Sequence, residues 1–213
     1  LMFCMTADKE RPCTSFAVTS AKPSEGKSLT AANIAISYAM LGKKVLLIDA
    51  DMRKPTQRRL WRVEKPTGLC DFLAKISKLE LDKVKDLPLW IVCTGTIPPN
   101  PSELLSSERM KHFVEESAKV YDYIIIDTPP INTVADAQIV STYVDGVVLV
   151  VKSGDTTEDE LNEAIDAVRR AGGNLCGTVL NDLNMKSVKY AYKYKYGGKY
   201  GYKYSYSESY EAR

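Results

Sequence analysis

No C-x-x-C pair occurs among the five cysteines, Cys4, Cys13, Cys70, Cys93 and Cys176. Their odd number and wide spacing exclude a disulfide framework or a zinc site and predict reduced, buried thiols in a cytosolic protein. Long hydrophobic runs are also missing. The longest, such as 147–151, are strand-sized, so no segment is expected to cross a membrane. The N-terminus lacks the layout of a secretory leader. It begins at Leu1, which predicts a fragment or the cytoplasmic part of a longer protein. An excess of one charge is absent as well: 29 Lys and Arg face 27 Asp and Glu. A net charge of +2 does not point to a nucleic-acid partner. The single histidine, His112, stands among charged residues of a predicted helix. There a solvated or capping role fits better than a catalytic one.

What is present is the composition of a globular domain, with 45% hydrophobic and 26% charged residues over 213 positions. Its centre is Ala21-Lys22-Pro23-Ser24-Glu25-Gly26-Lys27-Ser28, which follows the apolar run Phe16-Ala17-Val18-Thr19. A helical pattern over 29–41 comes next, starting at Leu29 and stopping at Gly42. Strand, tight loop, Gly-Lys-Ser and helix make a phosphate-binding loop, although Ala21 stands where the first glycine is usual. A loop running into a helix aims several N–H groups at one anion, and the helix dipole adds to the attraction. Gly26 permits close backbone approach, Lys27 reaches the β- and γ-phosphates, and the Ser28 hydroxyl ligates Mg²⁺. ATP and Mg²⁺ are therefore the expected cofactors.

Two further strands end in carboxylates. Val45-Leu46-Leu47-Ile48 runs into Asp49-Ala50-Asp51-Met52-Arg53-Lys54-Pro55, where Pro55 argues for a loop. Tyr123-Ile124-Ile125-Ile126 runs into Asp127-Thr128-Pro129-Pro130, the Walker B arrangement. Continuous apolar runs suit strands covered on both faces, and α/β folds bind ligands just past the carboxyl ends of such strands. Residues 56–85 are expected to be helical in pieces, with one helix opening at Gly68. A strand at 89–92, helices from Ser102 and over 108–119, a strand at 146–151, a helix over 157–171 and a strand at 174–180 complete the pattern. Asp136 is expected as an N-cap. Alternating strands and helices predict an α/β fold with a mostly parallel central sheet flanked by helices.

From Lys186 the composition changes. Tyr190, Tyr192, Tyr194, Tyr196, Tyr200, Tyr202, Tyr204, Tyr206 and Tyr210 are nine of the thirteen tyrosines. Residues 186–213 hold seven Lys or Arg and two Asp or Glu, giving +5 and leaving −3 for the rest of the +2 total. So few aliphatic residues cannot build a core. The expected division is a nucleotide-binding domain at 1–185 and a flexible tail at 186–213. A one-faced strand, a lysine–aromatic anion-binding patch and a phosphate-accepting tail all fit the composition. The neighbouring nucleotide site favours the last.

Together the loop, the Asp49–Pro55 run, Pro98-Pro99-Asn100-Pro101-Ser102-Glu103-Leu104-Leu105, Ile126-Asp127-Thr128-Pro129-Pro130 and the tyrosine tail resemble the bacterial tyrosine kinases of capsule and exopolysaccharide operons. The resemblance covers nearly the whole chain. It implies a P-loop kinase domain of deviant-Walker type and ATP-dependent phosphorylation of the tail between subunits of a ring. It also implies a cytoplasmic protein attached to the membrane through a membrane-spanning activator or a fused segment, other protein substrates, and a setting in polysaccharide chain-length control and export. The family's Glu-x-x-Arg-x-x-Arg helix, which helps build the ring, does not occur ahead of the first strand here. In this frame residues 21–29 bind the nucleotide, with Asn181 on adenine. Ser28, Asp51 and Asp127 hold Mg²⁺, Lys27 binds phosphate, and Asp49 orients or deprotonates the incoming tyrosine. Two alternatives remain open: a partition- or division-type ATPase switch, with Lys22 as its signature lysine, and a non-catalytic tyrosine-tailed adaptor.

Overall fold

A computed structural model of the protein describes residues 14–183. The apolar runs become strands Ser15–Ser20 (β1), Val45–Asp49 (β2), Asp82–Lys83 (β3), Leu89–Val92 (β4), Tyr123–Asp127 (β5), Gly146–Lys152 (β6) and Leu175–Asn181 (β7). They form one sheet in the order β3-β4-β2-β5-β1-β6-β7. Every neighbouring pair is parallel except β3 with β4. The two-residue β3 was not foreseen. It has too few residues to show a period and is held by pairing with Ile91 and Trp90.

Side chains alternate across the strands, so every strand but the two-residue β3 feeds two cores. Phe16, Val18, Leu47, Ile125 and Val148 pack on one face against Ala31, Ala32 and Ala35 of the helix Lys27–Met40 (α1). Ala17, Leu46, Ile48, Ile124 and Leu149 face the other core. That side is covered from the helices Leu69–Leu73 (α3), Pro101–Ser106 (α4), Glu108–Ala118 (α5), Asp136–Ser141 (α6) and Glu158–Arg170 (α7). The short helix Gln57–Trp61 (α2) follows the β2 loop.

The helix ends follow local chemistry. Gly42, at φ +79°, closes α1 with its N–H on the Ala39 carbonyl while Lys43 N–H reaches Tyr38. Ser107 and Thr157 cap α5 and α7 through their hydroxyls. Two expectations need correction. α1 begins at Lys27, not Leu29, so the loop's lysine and serine already belong to the helix. Asp136 is the first residue of α6, after Ala135, and caps nothing. Its buried carboxylate instead receives Arg53 and Ser102.

Of the five thiols, Cys70 and Cys93 are buried, and burial pushes each up to about 12. Cys176 is half-buried, and Cys4 and Cys13 lie outside the described residues. His112 is exposed on α5, 4.0 Å from Glu115. Among the described residues no helix is long and apolar enough to cross a membrane.

Candidate active site

The parallel pairing brings the ends of β1, β2 and β5 side by side, with Asp49 in register with Asp127. The loop after β1 therefore faces both strand-end carboxylates. Gly26 sits at φ +90°, the left-handed conformation that favours glycine. A Cβ there would lie 2.1 Å from Asn181 Nδ2. Lys27 and Ser28, in the first turn of α1, look into a cavity of about 400 Å³.

Lys27 is the hub. Its buried ammonium lies 2.7 Å from Asp51 Oδ2, 3.1 Å from Ser28 Oγ and 3.6 Å from Asp127 Oδ1. Burial works against the charge, but Asp127 and then Asp51 outweigh it, and the lysine stays above its usual value. Asp127 is held above the carboxylate range chiefly by burial, opposed by Lys27. Its Oδ2 accepts a hydrogen bond from Gln57, while Oδ1 has no hydrogen-bond partner.

That buried oxygen, without a hydrogen bond and paired only with Lys27 at 3.6 Å, tests the fit of Mg²⁺. With Asp51 and the Ser28 hydroxyl it makes a set of hard oxygen donors. Among the described residues no group of three or more His, Cys, Asp and Glu forms a metal site by itself. The set therefore fits an ion that brings phosphate oxygens and water as further ligands.

Asp51 and Asp49 differ in access. Asp51 lines the cavity. Asp49 is fully buried behind it, accepting hydrogen bonds from the N–H groups of Thr56, Gln57 and Asp51. Burial first, and then Asp127, push Asp49 up to about 8. Asp49 is closed off from a substrate in the cavity, whereas Asp51 faces it.

The raised value has a sign for stability. The folded protein keeps the Asp49 proton up to about pH 8, while an unfolded Asp loses it near pH ~4. Folding takes up a proton in that window, so stability falls as pH rises through it. Urea midpoints of the wild type are expected to decline from pH 5 to 8.5, and the decline should be smaller in Asp49→Asn. Parallel slopes would place the titration on another group.

Among the expected nucleotide-binding residues, Pro23, Ser24, Gly26, Lys27, Ser28 and Leu29 line the cavity. Ala21, Lys22 and Glu25 do not. The Lys22 ammonium turns to the first turn of α7, 3.1 Å from Glu160 Oε2 and 2.9 Å from the Asp155 carbonyl. Glu25, also buried, accepts from the Lys22 N–H and the Thr156 hydroxyl. Asn181 donates to the Glu25 carbonyl at 3.0 Å, behind the loop. The nine tail tyrosines lie outside the described residues.

Two participants were missed in the sequence. Gln57 Nε2 bridges Asp127 Oδ2 and the Ser28 carbonyl, both at 2.9 Å, and its Oε1 receives Trp61. Asp136 grips Arg53 at the cavity wall, at 2.8 and 3.1 Å. Gln57 gave no signal beyond following Pro55 and Thr56, since a buried amide in a five-residue helix has no motif.

A parallel sheet with a phosphate loop after β1, and carboxylates at the ends of the two neighbouring strands, defines a P-loop nucleotide-binding protein. The AAA domain family matches residues 14–174. A cell-division ATPase MinD of Pyrococcus furiosus superposes with a TM-score of 0.66 at 20% identity, over 78% of this chain and 71% of that one, a likeness of fold. The tyrosine-protein kinase YwqD of Bacillus subtilis is 44% identical over 87% of this chain and 80% of its own length. The kinase domain of the Escherichia coli tyrosine kinase ETK superposes with a TM-score of 0.81 at 31% identity, over 91% of this chain and 74% of that one. The chain belongs to the bacterial tyrosine-protein kinases, transferases acting on protein tyrosine.

Proposed function

We propose that the protein transfers the γ-phosphoryl group of ATP to tyrosines of its own C-terminal segment, 186–213, presented by a neighbouring copy in a ring-type assembly. The observation that carries this is the convergence of Lys27, Ser28 and Asp51 on one cavity, with the buried Asp127 3.6 Å behind Lys27, in a chain whose segment 186–213 carries nine tyrosines. The tyrosine oxygen forms the new bond to phosphorus as the bond to the ADP oxygen breaks, and the phenolic proton passes to the Asp51 carboxylate or to water. Lys27 and the loop N–H groups hold the phosphates and follow the charge as it moves to ADP. Asp51 Oδ1, which accepts the Lys54 N–H, and Asp51 Oδ2 beside Lys27 keep this carboxylate at the cavity wall. There it orients the incoming hydroxyl or the metal. Asp49 is a positioning residue that fixes the turn 51–57 from behind. Ser28, Asp51 and Asp127 would hold Mg²⁺, which supplies charge neutralisation between β- and γ-phosphates. Asn181 holds the loop's back at Glu25, next to the side on which adenine would lie.

The setting we propose is regulation of capsular or exopolysaccharide synthesis and export at the inner face of the cell membrane. Attachment would come through a membrane-spanning activator or a fused segment, and other protein substrates are open to the same site. The motifs in common with the capsule-operon kinases support this setting.

The test is intact mass against time with Mg·ATP, for the full chain and a truncation ending at Lys186. Successive phosphate additions in the full chain and none in the truncation are expected. ADP release without addition would mark an ATPase switch instead. In parallel, Asp51→Asn is expected to slow phosphate transfer by about 10²-fold or more, and Asp49→Asn by less. The reverse order would return the hydroxyl-facing role to Asp49.

A further inference from the structure

A second groove, of about 490 Å³, lies beside the nucleotide cavity. Its walls include Pro55, Arg58, Arg59, Val63, Gly95 and Ile97, and no acidic residue lines it. Arg58 is anchored, with Nε 3.3 Å from the Val63 carbonyl and Nη2 3.0 Å from the Glu64 carbonyl. Its remaining N–H groups stay available. The Arg59 side chain has no hydrogen-bond or ion-pair partner among the described residues, and it also lines the nucleotide cavity. The two depressions thus share a wall.

The opposite wall is held in shape. Asp71 Oδ2 accepts the N–H groups of Gly68 and Thr96, at 2.9 and 3.1 Å, on either side of Gly95. Ile97 stands exposed at the rim. Two guanidinium forks set among Pro55, Val63 and Ile97 suit a ligand with both an apolar ring and a dianionic head. A bare phosphate would leave the apolar walls unused, and an unmodified tyrosine would leave the arginines unused.

We propose that this groove binds a phosphotyrosine of the tail while an unmodified tyrosine of the same tail occupies the adjoining nucleotide cavity. The inference rests on the kinase activity proposed above. Charge favours it. The unmodified segment 186–213 carries +5 and is repelled by the arginines, whereas each phosphate adds about −1.5 to −2. The first modification therefore creates the ligand for the groove. With four tyrosines alternating from Tyr190 to Tyr196, a held phosphotyrosine keeps the next acceptor close. Later additions to one tail should then outrun the first.

The binding arm uses the full-length Lys27→Met protein, which lacks turnover. The probes are a labelled peptide of residues 189–196 phosphorylated on Tyr192 and its unphosphorylated twin. The phosphopeptide is expected to bind roughly tenfold or more tightly. Ile97→Glu, which sets a carboxylate among the arginines, should abolish that preference, and Ile97→Lys should keep it. Phenyl phosphate should displace the phosphopeptide at concentrations where inorganic phosphate does not. In the active chain, Ile97→Glu should leave the first addition at the wild-type rate and slow the later ones, so that singly modified chains accumulate. Equal binding of the two peptides, or Ile97→Glu indistinguishable from wild type in both arms, would overturn the groove. A wild type that adds no phosphate would count against the kinase proposal instead, and the binding arm would still decide the groove.

Discussion

Lys27→Met is expected to abolish tail phosphorylation, lowering the rate by at least ~10²–10³-fold, because it deletes the cation that the phosphate loop itself carries into the cavity. Met keeps most of the lysine's apolar stem, so helix α1 should persist. The electrostatics will not be neutral. Lys27 is the counter-charge of Asp51 and Asp127 at 2.7 and 3.6 Å. Without it, buried carboxylates face one another, and the cheapest relief is to take up a proton. Asp49 already holds its proton up to about pH 8. The variant should therefore stay folded at neutral pH and lose stability more steeply than wild type as the pH rises past 8. Intact mass reads the first effect, and urea midpoints at pH 7 and pH 9 read the second. Retained phosphotyrosine would sink the site assignment. Collapse of the fold at pH 7 would mean that Lys27 is first a structural counter-ion.

Gly68→Ala should destabilise the scaffold severely for a single methyl group, at about 3 kcal/mol. A Cβ on Gly68 would lie 2.1 Å from the Cys93 carbonyl oxygen and 2.6 Å from Gly95 N, both backbone atoms that cannot rotate away. The contact is this tight because α3 docks its first N–H groups on the end of β4. Leu69 N–H bonds to Cys93 O at 2.8 Å and Cys70 N–H to Thr94 O at 2.9 Å. Gly42→Ala is the control. Gly42 has the left-handed conformation that Gly68 lacks, but a Cβ there meets nothing within 4 Å. It should lose only the conformational penalty of about 1 kcal/mol. Equal losses in chemical denaturation would show that the β4–α3 junction yields.

The phosphate loop and both strand-end carboxylates were legible because their chemistry is local. Gly-Lys-Ser must follow a strand and open a helix, and an aspartate must end an apolar run. The parallel sheet followed from the alternation of such runs with helical stretches. Partners set by contacts across the fold were not legible. Asp136 looked like a helix cap, since an Asp ahead of an apolar helical stretch is the usual sign of one. It is claimed instead by Arg53, 83 positions earlier. Lys22 occupied the place of a signature lysine, and its position in the loop gave no hint that Glu160 would bind it.

The sequence by itself determined the nucleotide chemistry, because backbone N–H groups, a lysine and carboxylates at strand ends act through short-range geometry that consecutive residues specify. It also placed nine tyrosines in one basic segment. Only the tertiary structure told the surroundings of Asp49 and Asp51 apart. They stand two residues apart in one loop, yet the turn into α2 encloses the first and leaves the second on the cavity. Which of two buried carboxylates faces a cavity is a property of the packed fold, and no local pattern distinguishes them.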